Sequence, residues 1–321
     1  MRKTSPKPDL DAYLRLNNAS FEEWITALRV LSGCDDIKCR PHSGGGSIGS
    51  LSALDSARGR VISLKASKGI DVSGFRSTES VLLLPREGVP EIAIRGGLWR
   101  PLDRLLVLVP QDRFDVRLAP GKKVMFLRPD VGALGDWIAQ SSDQCLTVLE
   151  AIIDCYLERL PFVRGDEQAR QLTNRFFDTL ATPWTPRKAA VCSERNLDRR
   201  LQRVVEKIMQ DPAWEFDLKE LASYAGVSER NLYYLMKRET GITPYRFYQR
   251  ARLTRVRERL VDCQCEVPHI SWYAADEGFS HLGRFAAMYR EHFGELPSET
   301  VQWRRNLLRR SVASAEELVE T

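Results

Sequence analysis

Two segments in the last third of the chain share a spacing of small residues that fits two short helices joined by a sharp turn. In the first segment, Ala222 precedes Gly226 by four residues and Ser228 follows that glycine by two. Alanine lets the helices cross closely, glycine can take the positive φ of the turn, and serine is a favoured N-cap. The spacing therefore predicts a helix-turn-helix unit, and Asp217 with Glu220 predicts a capping box at its start.

A second segment repeats this arrangement around Gly278, again with alanine four residues before the glycine and serine two residues after it. Between the two segments, Thr243 is a natural N-cap and Pro244 suits the first turn of a helix. We expect that helix to run to about Val261 and to be roughly 25 Å long. The sequence thus predicts two helix-turn-helix units joined by one connecting helix.

Arginine is concentrated on the predicted connecting helix and near the end of the chain. The formal net charge of the 321 residues is only +5, so composition alone does not indicate a nucleic-acid partner. Clustered guanidinium groups on one element do favour binding to a phosphate backbone. The alternative is an ordinary solvated helix face. The arginines in question are Arg246, Arg250, Arg252, Arg255, Arg257, Arg259, Arg304, Arg305, Arg309 and Arg310.

The residues around and after the second turn resemble a known signature. They are similar to the AraC/XylS family of bacterial transcription activators, and the resemblance covers about residues 199–305. Within the family, residues 281–285 and 294–298 look most like the benzoate-type branch that contains XylS. The chain lacks the aromatic-arginine pair that many members place shortly after the proline. The signature consists of Gly278-Phe279-Ser280, Phe285, Tyr289-Arg290, Phe293-Gly294 and Pro297-Ser298.

The resemblance implies that the second helix of each unit enters the major groove of DNA. Leu282 stands where the family often has a polar residue, so we expect His281 and Arg284 to make more of the base contacts in the second unit. Arginine can bind guanine through two hydrogen bonds, and tyrosine can contact thymine methyl groups or phosphates. The alternative for either tyrosine is packing against the connecting helix. The candidate DNA-binding residues are Ser228, Arg230, Asn231, Tyr233, Tyr234, Lys237, His281, Leu282 and Arg284.

The N-terminal half alternates short apolar runs with glycine and proline, which is typical of an antiparallel barrel or sandwich. Ahead of these runs, Ser20 and Glu23 predict a capping box for a helix that ends near Ser32. After the runs, apolar residues at helical spacing predict helices over residues 141–160 and 166–180. The apolar runs are residues 61–64, 81–84, 91–94, 105–109, 114–118 and 123–127.

These elements predict an α+β fold with an all-α C-terminal domain that contains both helix-turn-helix units. The resemblance implies that the N-terminal domain is a cupin-like β-barrel with flanking helices. We expect an effector-sensing and dimerisation domain over residues 1–182, a linker over 183–195, an AraC-type DNA-binding domain over 196–310 and a tail over 311–321. The length of the chain is sufficient for two separate cores.

The family layout implies a transcription regulator that activates a catabolic operon, with double-stranded DNA and RNA polymerase as partners. We expect the barrel, residues 43–130, to hold a small organic-acid effector, because arginine pairs with carboxylates while apolar walls exclude water. We also expect a homodimer through the helix over residues 141–160. Its apolar positions, which include Ile152 and Tyr156, cover more than a narrow stripe.

Other classes of function have little support in the residues. Seven cysteines without regular spacing are typical of reduced thiols in the cytoplasm, and neither a signal peptide nor a membrane span is expected. Cys34, Cys39 and His42 form a weak candidate metal cluster without a fourth ligand. We therefore expect no metal, no cofactor and no enzymatic activity. The alternative is an enzyme or DNA-repair protein that uses the same module to regulate itself, with N-terminal cysteines as reactive sites.

Overall fold

The computed structural model describes residues 9–76, 79–130, 143–182, 198–265 and 267–317. The predicted linker, residues 183–195, lies outside these ranges, as do the last four residues of the predicted tail. Strands occupy much of the N-terminal half and helices the C-terminal half, as expected for an α+β chain. Among the described residues, no helix combines the length and the apolar character needed to cross a membrane.

The described strands of the N-terminal half form two antiparallel sheets. The strands are β1 Leu14–Leu16, β2 Lys38–Pro41, β3 Gly49–Ser56, β4 Gly59–Ala66, β5 Ile70–Arg76, β6 Val81–Glu87, β7 Glu91–Ile94, β8 Arg100–Pro101, β9 Leu106–Leu108, β10 Arg113–Leu118 and β11 Lys123–Pro129. The first sheet has the order β1-β3-β4-β11-β6-β9 and the second has the order β2-β5-β10-β7-β8. Neither is closed by a pairing of its first and last strands, so the described strands form two open sheets and the cupin-like barrel is not confirmed.

The core between the two sheets is built from alternate residues of the strands. In β10, every second residue from Phe114 to Leu118 is buried, while Arg113 at the start is exposed. Phe114 stacks on Phe75 with ring centroids 4.9 Å apart, and its centroid lies 6.2 Å from that of Phe126. Phe75 and Phe114 are thus neighbours in the second sheet, and both rings meet Phe126 of the first sheet across the sandwich.

One helix adds its apolar face to this core. It is α1, Phe21–Ser32, and its predicted capping box is confirmed. Ser20 Oγ accepts the backbone N–H of Glu23 at 3.3 Å, and the Glu23 carboxylate accepts the N–H of Ser20 at 2.9 Å. Trp24 and Leu28 are buried with the residues between the sheets. The cap thus fixes where the helix begins, and its buried face fixes where the helix packs.

Two further helices cover the outer face of the first sheet. They are α2, Asp143–Arg159, and α3, Asp166–Ala181. Tyr156 stacks on Phe176 with centroids 4.3 Å apart, and Tyr156 and Ile152 are only 4 % and 8 % exposed. Both residues are used in the chain's own core. The predicted dimer seam at these positions is therefore wrong, because neither side chain is available to a second copy.

The C-terminal half is helical. Its helices are α4 Arg199–Gln210, α5 Leu218–Ala225, α6 Glu229–Thr240, α7 Pro244–Asp262, α8 Ile270–Asp276, α9 Leu282–Phe293 and α10 Pro297–Glu317. We call α5 with α6 head 1, α8 with α9 head 2, and α7 the connecting helix, which is roughly 28 Å long. Each head lies over its own apolar core, and α7 contributes to both cores. The two predicted helix-turn-helix units are confirmed.

A buried ion pair fastens α10 to the N-terminal domain. Arg304 donates from Nε and Nη2 to the two carboxylate oxygens of Glu23 at 2.6 and 3.0 Å, and the two residues are 3 % and 4 % exposed. The remaining nitrogen, Nη1, donates to the carbonyl of Val261 at 3.1 Å. The end of the connecting helix, α10 and α1 therefore meet at one guanidinium.

A second pair lies nearby at Glu295. Its carboxylate pairs with Arg257 at 2.8 Å and with Arg15 of β1 at 2.9 Å. Arg257 Nε also donates to the carbonyl of Leu14 at 3.0 Å. Burial alone would raise the pKa of Glu295, but the two arginines hold it below its ordinary value. The connecting helix and α10, which flank head 2, are thus joined to the N-terminal domain by two charged centres.

We predict that Arg304→Met lowers the free energy of unfolding by about 3–5 kcal/mol, because it leaves the Glu23 carboxylate buried without its partner. Urea denaturation of the full chain measures this change. The double variant Glu23→Gln, Arg304→Met should lose clearly less, since no charge is left unpaired. Arg58→Met is the control, because Arg58 pairs with Asp178 where both side chains are about half exposed, and it should cost under about 1 kcal/mol. Equal losses for Arg304→Met and Arg58→Met would contradict the prediction.

The same pair sets a pH dependence. Burial would raise the pKa of Glu23, but hydrogen bonds from Arg304 and Ser20 hold it below the ordinary 4.5. A carboxyl group with a lowered folded pKa contributes its stability above the unfolded pKa and loses it as the pH falls through the folded value. The difference between wild type and Arg304→Met should therefore be full at pH 7 and should shrink as the pH falls below 4.5.

Candidate DNA interface

Head 1 is shaped by the residues of its turn. Gly226 has a φ of 75°, the left-handed conformation that the spacing predicts for it. Ala222 is 2 % exposed, so the helices cross where the side chain is small. Asp217 caps α5 by accepting the N–H of Glu220 at 2.9 Å. The Glu220 carboxylate is bonded instead to Trp214 Nε1 at 2.8 Å, so the predicted capping box is present only in its first half.

The outer face of α6 carries the residues predicted to read DNA. Ser228 caps the helix by accepting the N–H of Asn231 at 3.3 Å. Arg230, Asn231, Tyr233, Tyr234 and Lys237 are all exposed, while Leu232 and Leu235 behind them are buried. The Arg230 guanidinium lies 5.6 Å from the centre of the Tyr234 ring. Tyr233 and Tyr234 are 42 % and 58 % exposed, so neither is packed away against the connecting helix.

Head 2 has the same shape with different side chains. Gly278 has a φ of 69°, and a Cβ atom there would overlap the guanidinium of Arg252. His281 is the N-cap residue of α9, but its side chain makes no capping hydrogen bond. His281, Leu282 and Arg284 are exposed, and Leu282 is 49 % exposed despite its apolar side chain. The second outer face is therefore smaller and less polar than the first.

Most arginines of the connecting helix have structural roles. Arg255 pairs with Glu277 at 2.8 Å, Arg259 pairs with Asp276 at 2.8 Å, and Arg252 lies over the Phe279 ring at 4.8 Å. Arg250 and Arg257 are buried, as is Arg304 of α10. The buried arginines of the cluster are therefore not phosphate contacts, and phosphate binding by its exposed members stays a prediction. Charge density along a helix does not show which side chains are turned inward.

His292 of α9 is a buried residue behind the exposed face of head 2. It is 7 % exposed and packs edge-on against Phe293 with centroids 4.6 Å apart. Burial and the charges of Arg250 and Arg257 lower the pKa of His292 to about 3, so the imidazole is neutral at pH 7.

The weak candidate metal cluster has other partners. His42 Nε2 pairs with Asp71 at 2.8 Å, and Cys34 Sγ contacts the carbonyl of Arg76 at 3.1 Å. Burial raises the pKa of the Cys39 thiol to about 12. In the part of the chain that the structure describes, no group of three or more His, Cys, Asp or Glu residues could hold a metal ion.

The likeness to known proteins is concentrated in this C-terminal domain. The family described as "Helix-turn-helix domain" matches residues 221–303. The XylDLEGF operon transcriptional activator 1 of Pseudomonas putida is 39 % identical over 104 residues, which is 32 % of this chain and 31 % of the relative. The XylDLEGF operon transcriptional activator 2 of the same species is 40 % identical over 100 residues, which is 31 % of this chain and 64 % of the relative. The chain thus spans between about a third and two thirds of these relatives.

A solved structure is also similar to this chain over part of its length. A probable AraC family transcriptional regulator from Rhodopseudomonas palustris is 32 % identical, and the match covers 33 % of this chain and 96 % of that chain with a TM-score of 0.31. The chain belongs to the AraC/XylS family of transcription regulators. The matched relatives are described as operon transcriptional activators and not as enzymes, which agrees with the prediction that the chain is not an enzyme.

We predict that Gly278→Ala destabilises head 2, whereas Gly283→Ala does not. Alanine at position 278 must adopt a positive φ and displace the Arg252 guanidinium, which should cost at least about 1–2 kcal/mol. A Cβ at Gly283 meets nothing within 4 Å, and alanine suits a helix better than glycine by about 0.5–1 kcal/mol. Urea denaturation of the two variants checks the difference, and a Gly278→Ala variant as stable as wild type would disprove it.

Proposed function

We propose that the protein is a sequence-specific DNA-binding transcription regulator that places α6 and α9 in successive major grooves. The observation that supports this most strongly is the pair of exposed outer faces. Each follows the turn of its own head, and the residues behind each face are buried in an apolar core. The side chains that point outward therefore have no role in holding the heads together, and they are free for DNA.

The spacing of the heads suits one face of the double helix. Successive major grooves on one face lie about 34 Å apart, and a connecting helix of roughly 28 Å separates two heads that extend beyond its ends. Because the two outer faces carry different side chains, the proposed site is bipartite and asymmetric. Head 1 supplies Arg230, Tyr233 and Tyr234, and head 2 supplies His281 and Arg284.

The proposed contacts divide into base reading and phosphate binding. Arg230 and Arg284 are suited to guanine, because a guanidinium can donate two hydrogen bonds to its major-groove edge. The tyrosines are suited to thymine methyl groups or phosphates. Ser228 can donate its hydroxyl hydrogen to a phosphate, since within the protein this oxygen acts as an acceptor. Lys237 lies beside these residues as a phosphate contact.

We extend the proposal to activation of a catabolic operon in response to a small organic effector, with RNA polymerase and a second copy of the chain as partners. The support is the description of the Pseudomonas putida relatives as operon transcriptional activators. A homodimer would need a surface other than the buried positions on α2. Sedimentation of the full chain tests that assembly, and a promoter-reporter assay distinguishes activation from repression.

We predict that Arg230→Ala and Arg284→Ala each weaken binding to the cognate site by about 1–3 kcal/mol and relax the sequence preference at one base pair. Footprinting titrations on the cognate site and on single-base variants of it measure both effects. If both variants keep wild-type affinity and wild-type sequence preference, the proposed reading by these helices is wrong.

Two controls separate base reading from charge. Lys237→Ala should weaken binding almost equally on all sequences and reduce the slope of log affinity against log salt by about one. Arg104→Ala removes an exposed arginine that pairs with Asp143 in the N-terminal domain, and it should leave DNA binding unchanged. Loss of binding in Arg104→Ala would mean that total charge, rather than the two heads, determines the affinity.

A further inference from the structure

Three arginines, spaced by about one helical turn along the connecting helix, face successive residues at the turn of head 2. The first two meet carboxylates, each at 2.8 Å. The third, Arg252, meets Gly278, and its guanidinium fills the space that a side chain at this position would need. Its charge therefore has no carboxylate opposite it at the turn. The two paired arginines are Arg259 with Asp276 and Arg255 with Glu277.

The Arg252 guanidinium is held in place by aromatic rings. It lies 4.8 Å from the centre of the Phe279 ring and 5.4 Å from that of Tyr248. Contact with a ring face orients the planar group and leaves its N–H groups free to donate. Within the described ranges, no residue forms a hydrogen bond or an ion pair with it. Arg252 is thus an oriented cation whose donors are available to a partner outside the chain.

Head 1 has a similar arginine, which comes from the helix that precedes the head. A Cβ atom added at the turn glycine, Gly226, would lie 3.5 Å from a guanidinium nitrogen of Arg203 on α4. Arg203 is exposed, and the described part of the chain gives it neither a hydrogen bond nor an ion pair. Arg200 of the same helix differs, because its Nε donates to Asp198 at 2.9 Å. Each turn glycine is therefore accompanied by one arginine without a carboxylate partner.

The turn of a helix-turn-helix unit lies close to the DNA backbone. In complexes of such units, the N-terminal residues of the second helix contact base edges, whereas the first helix crosses the backbone. The turn connects these two places, so it lies beside the phosphates at the edge of the groove. Gly226 and Gly278 are both exposed. An arginine beside either glycine is consequently next to a phosphate in the proposed complex.

The chemistry of these two positions suits a phosphodiester. Its two unesterified oxygens share one negative charge and can accept from two N–H groups of a guanidinium. The carboxylate adjacent to the turn of head 2, Glu277, is already paired with Arg255, so it does not compete for Arg252. The N-terminus of the recognition helix, which begins just after each turn, adds partial positive charge at the same place.

We propose that Arg203 and Arg252 are phosphate contacts, one for each head, which hold the DNA backbone at the two turns. The proposal rests on the proposed function, in which α6 and α9 enter successive major grooves. Phosphate contacts fix the position of a protein on DNA, whereas base contacts carry the sequence information. The two arginines therefore supply affinity and register on any sequence, and the outer faces of the heads choose the sequence.

Salt titrations of DNA binding test the two arginines in the full chain. The probes are a duplex that the wild type selects from a random pool and a duplex of scrambled sequence, with binding followed by fluorescence anisotropy. Arg203→Gln and Arg252→Gln should each weaken binding to both duplexes by roughly three- to tenfold at low salt and reduce the slope of log affinity against log salt by about one. The double variant should reduce the slope by about two, because the arginines belong to different heads.

Matched variants separate phosphate binding from packing. Arg252→Lys keeps the charge and should keep the wild-type slope, whereas a role in packing on the rings alone would leave the slope unchanged in Arg252→Gln as well. Arg200→Gln and Arg259→Gln remove arginines that already have carboxylate partners, and they should also keep the slope. Because Arg203 is exposed, Arg203→Gln should fold as wild type does and gives a result that does not depend on the core of head 2.

Ethylation interference locates the contacts, since an ethylated phosphate has lost its negative charge. Interference at a phosphate beside the half-site of head 1 should disappear in Arg203→Gln, and interference beside that of head 2 should disappear in Arg252→Gln. A wild-type salt slope or an unchanged interference pattern in either variant overturns the proposal for that arginine. The proposed function would survive this result if Arg230→Ala and Arg284→Ala still relax the sequence preference. A wild type that binds neither duplex would overturn both.

Discussion

The buried arginine pairs at Glu23 and Glu295 hold the two halves of the chain together, and the arrangement of the molecule depends on them. Arg304 and Arg257 are each almost fully buried and bond to residues of the N-terminal domain. A guanidinium removed from water is tolerated only when its hydrogen bonds are replaced, so these pairs require the domains to meet with correct geometry. The helices that flank head 2 are consequently attached to the sandwich, and the outer face of α9 is left exposed.

Head 1 is attached differently. Phe162, which follows α2, stacks on Phe247 of the connecting helix with centroids 5.0 Å apart and belongs to the core of head 1. Arg164 donates to the carbonyl of Gly241 at 3.2 Å. On the same helix Arg250 is buried, but its Nη1 has no hydrogen-bond partner among the described residues. The domain junction is therefore completed by the protein's own charges at head 2, and it lacks one charged partner at head 1.

The sequence predicted the parts of this structure that depend on local rules. The capping box at Ser20, the left-handed glycines at 226 and 278, and the exposed outer faces of α6 and α9 follow from short-range spacing and sterics. The DNA-binding role of those faces stays a prediction. Long-range pairing could not be predicted in the same way. Whether the strands form a closed barrel or two open sheets depends on contacts between distant runs, and Ile152 and Tyr156 have the same spacing whether they meet a sheet or a second copy.

The arginines of the connecting helix show most clearly which contacts the sequence alone cannot predict. They are indistinguishable by spacing and composition, yet one lies over an aromatic ring, two pair within head 2, one joins the domains, and Arg250 is buried with one nitrogen unbonded among the described residues. What separates them is the direction of each side chain: Arg255 and Arg259 point to carboxylates near the turn of head 2, whereas Arg257 points to β1, more than 200 residues away. A single helix can therefore separate the two heads, bind the domains together and hold one buried charge without a carboxylate partner, because its faces meet different surroundings.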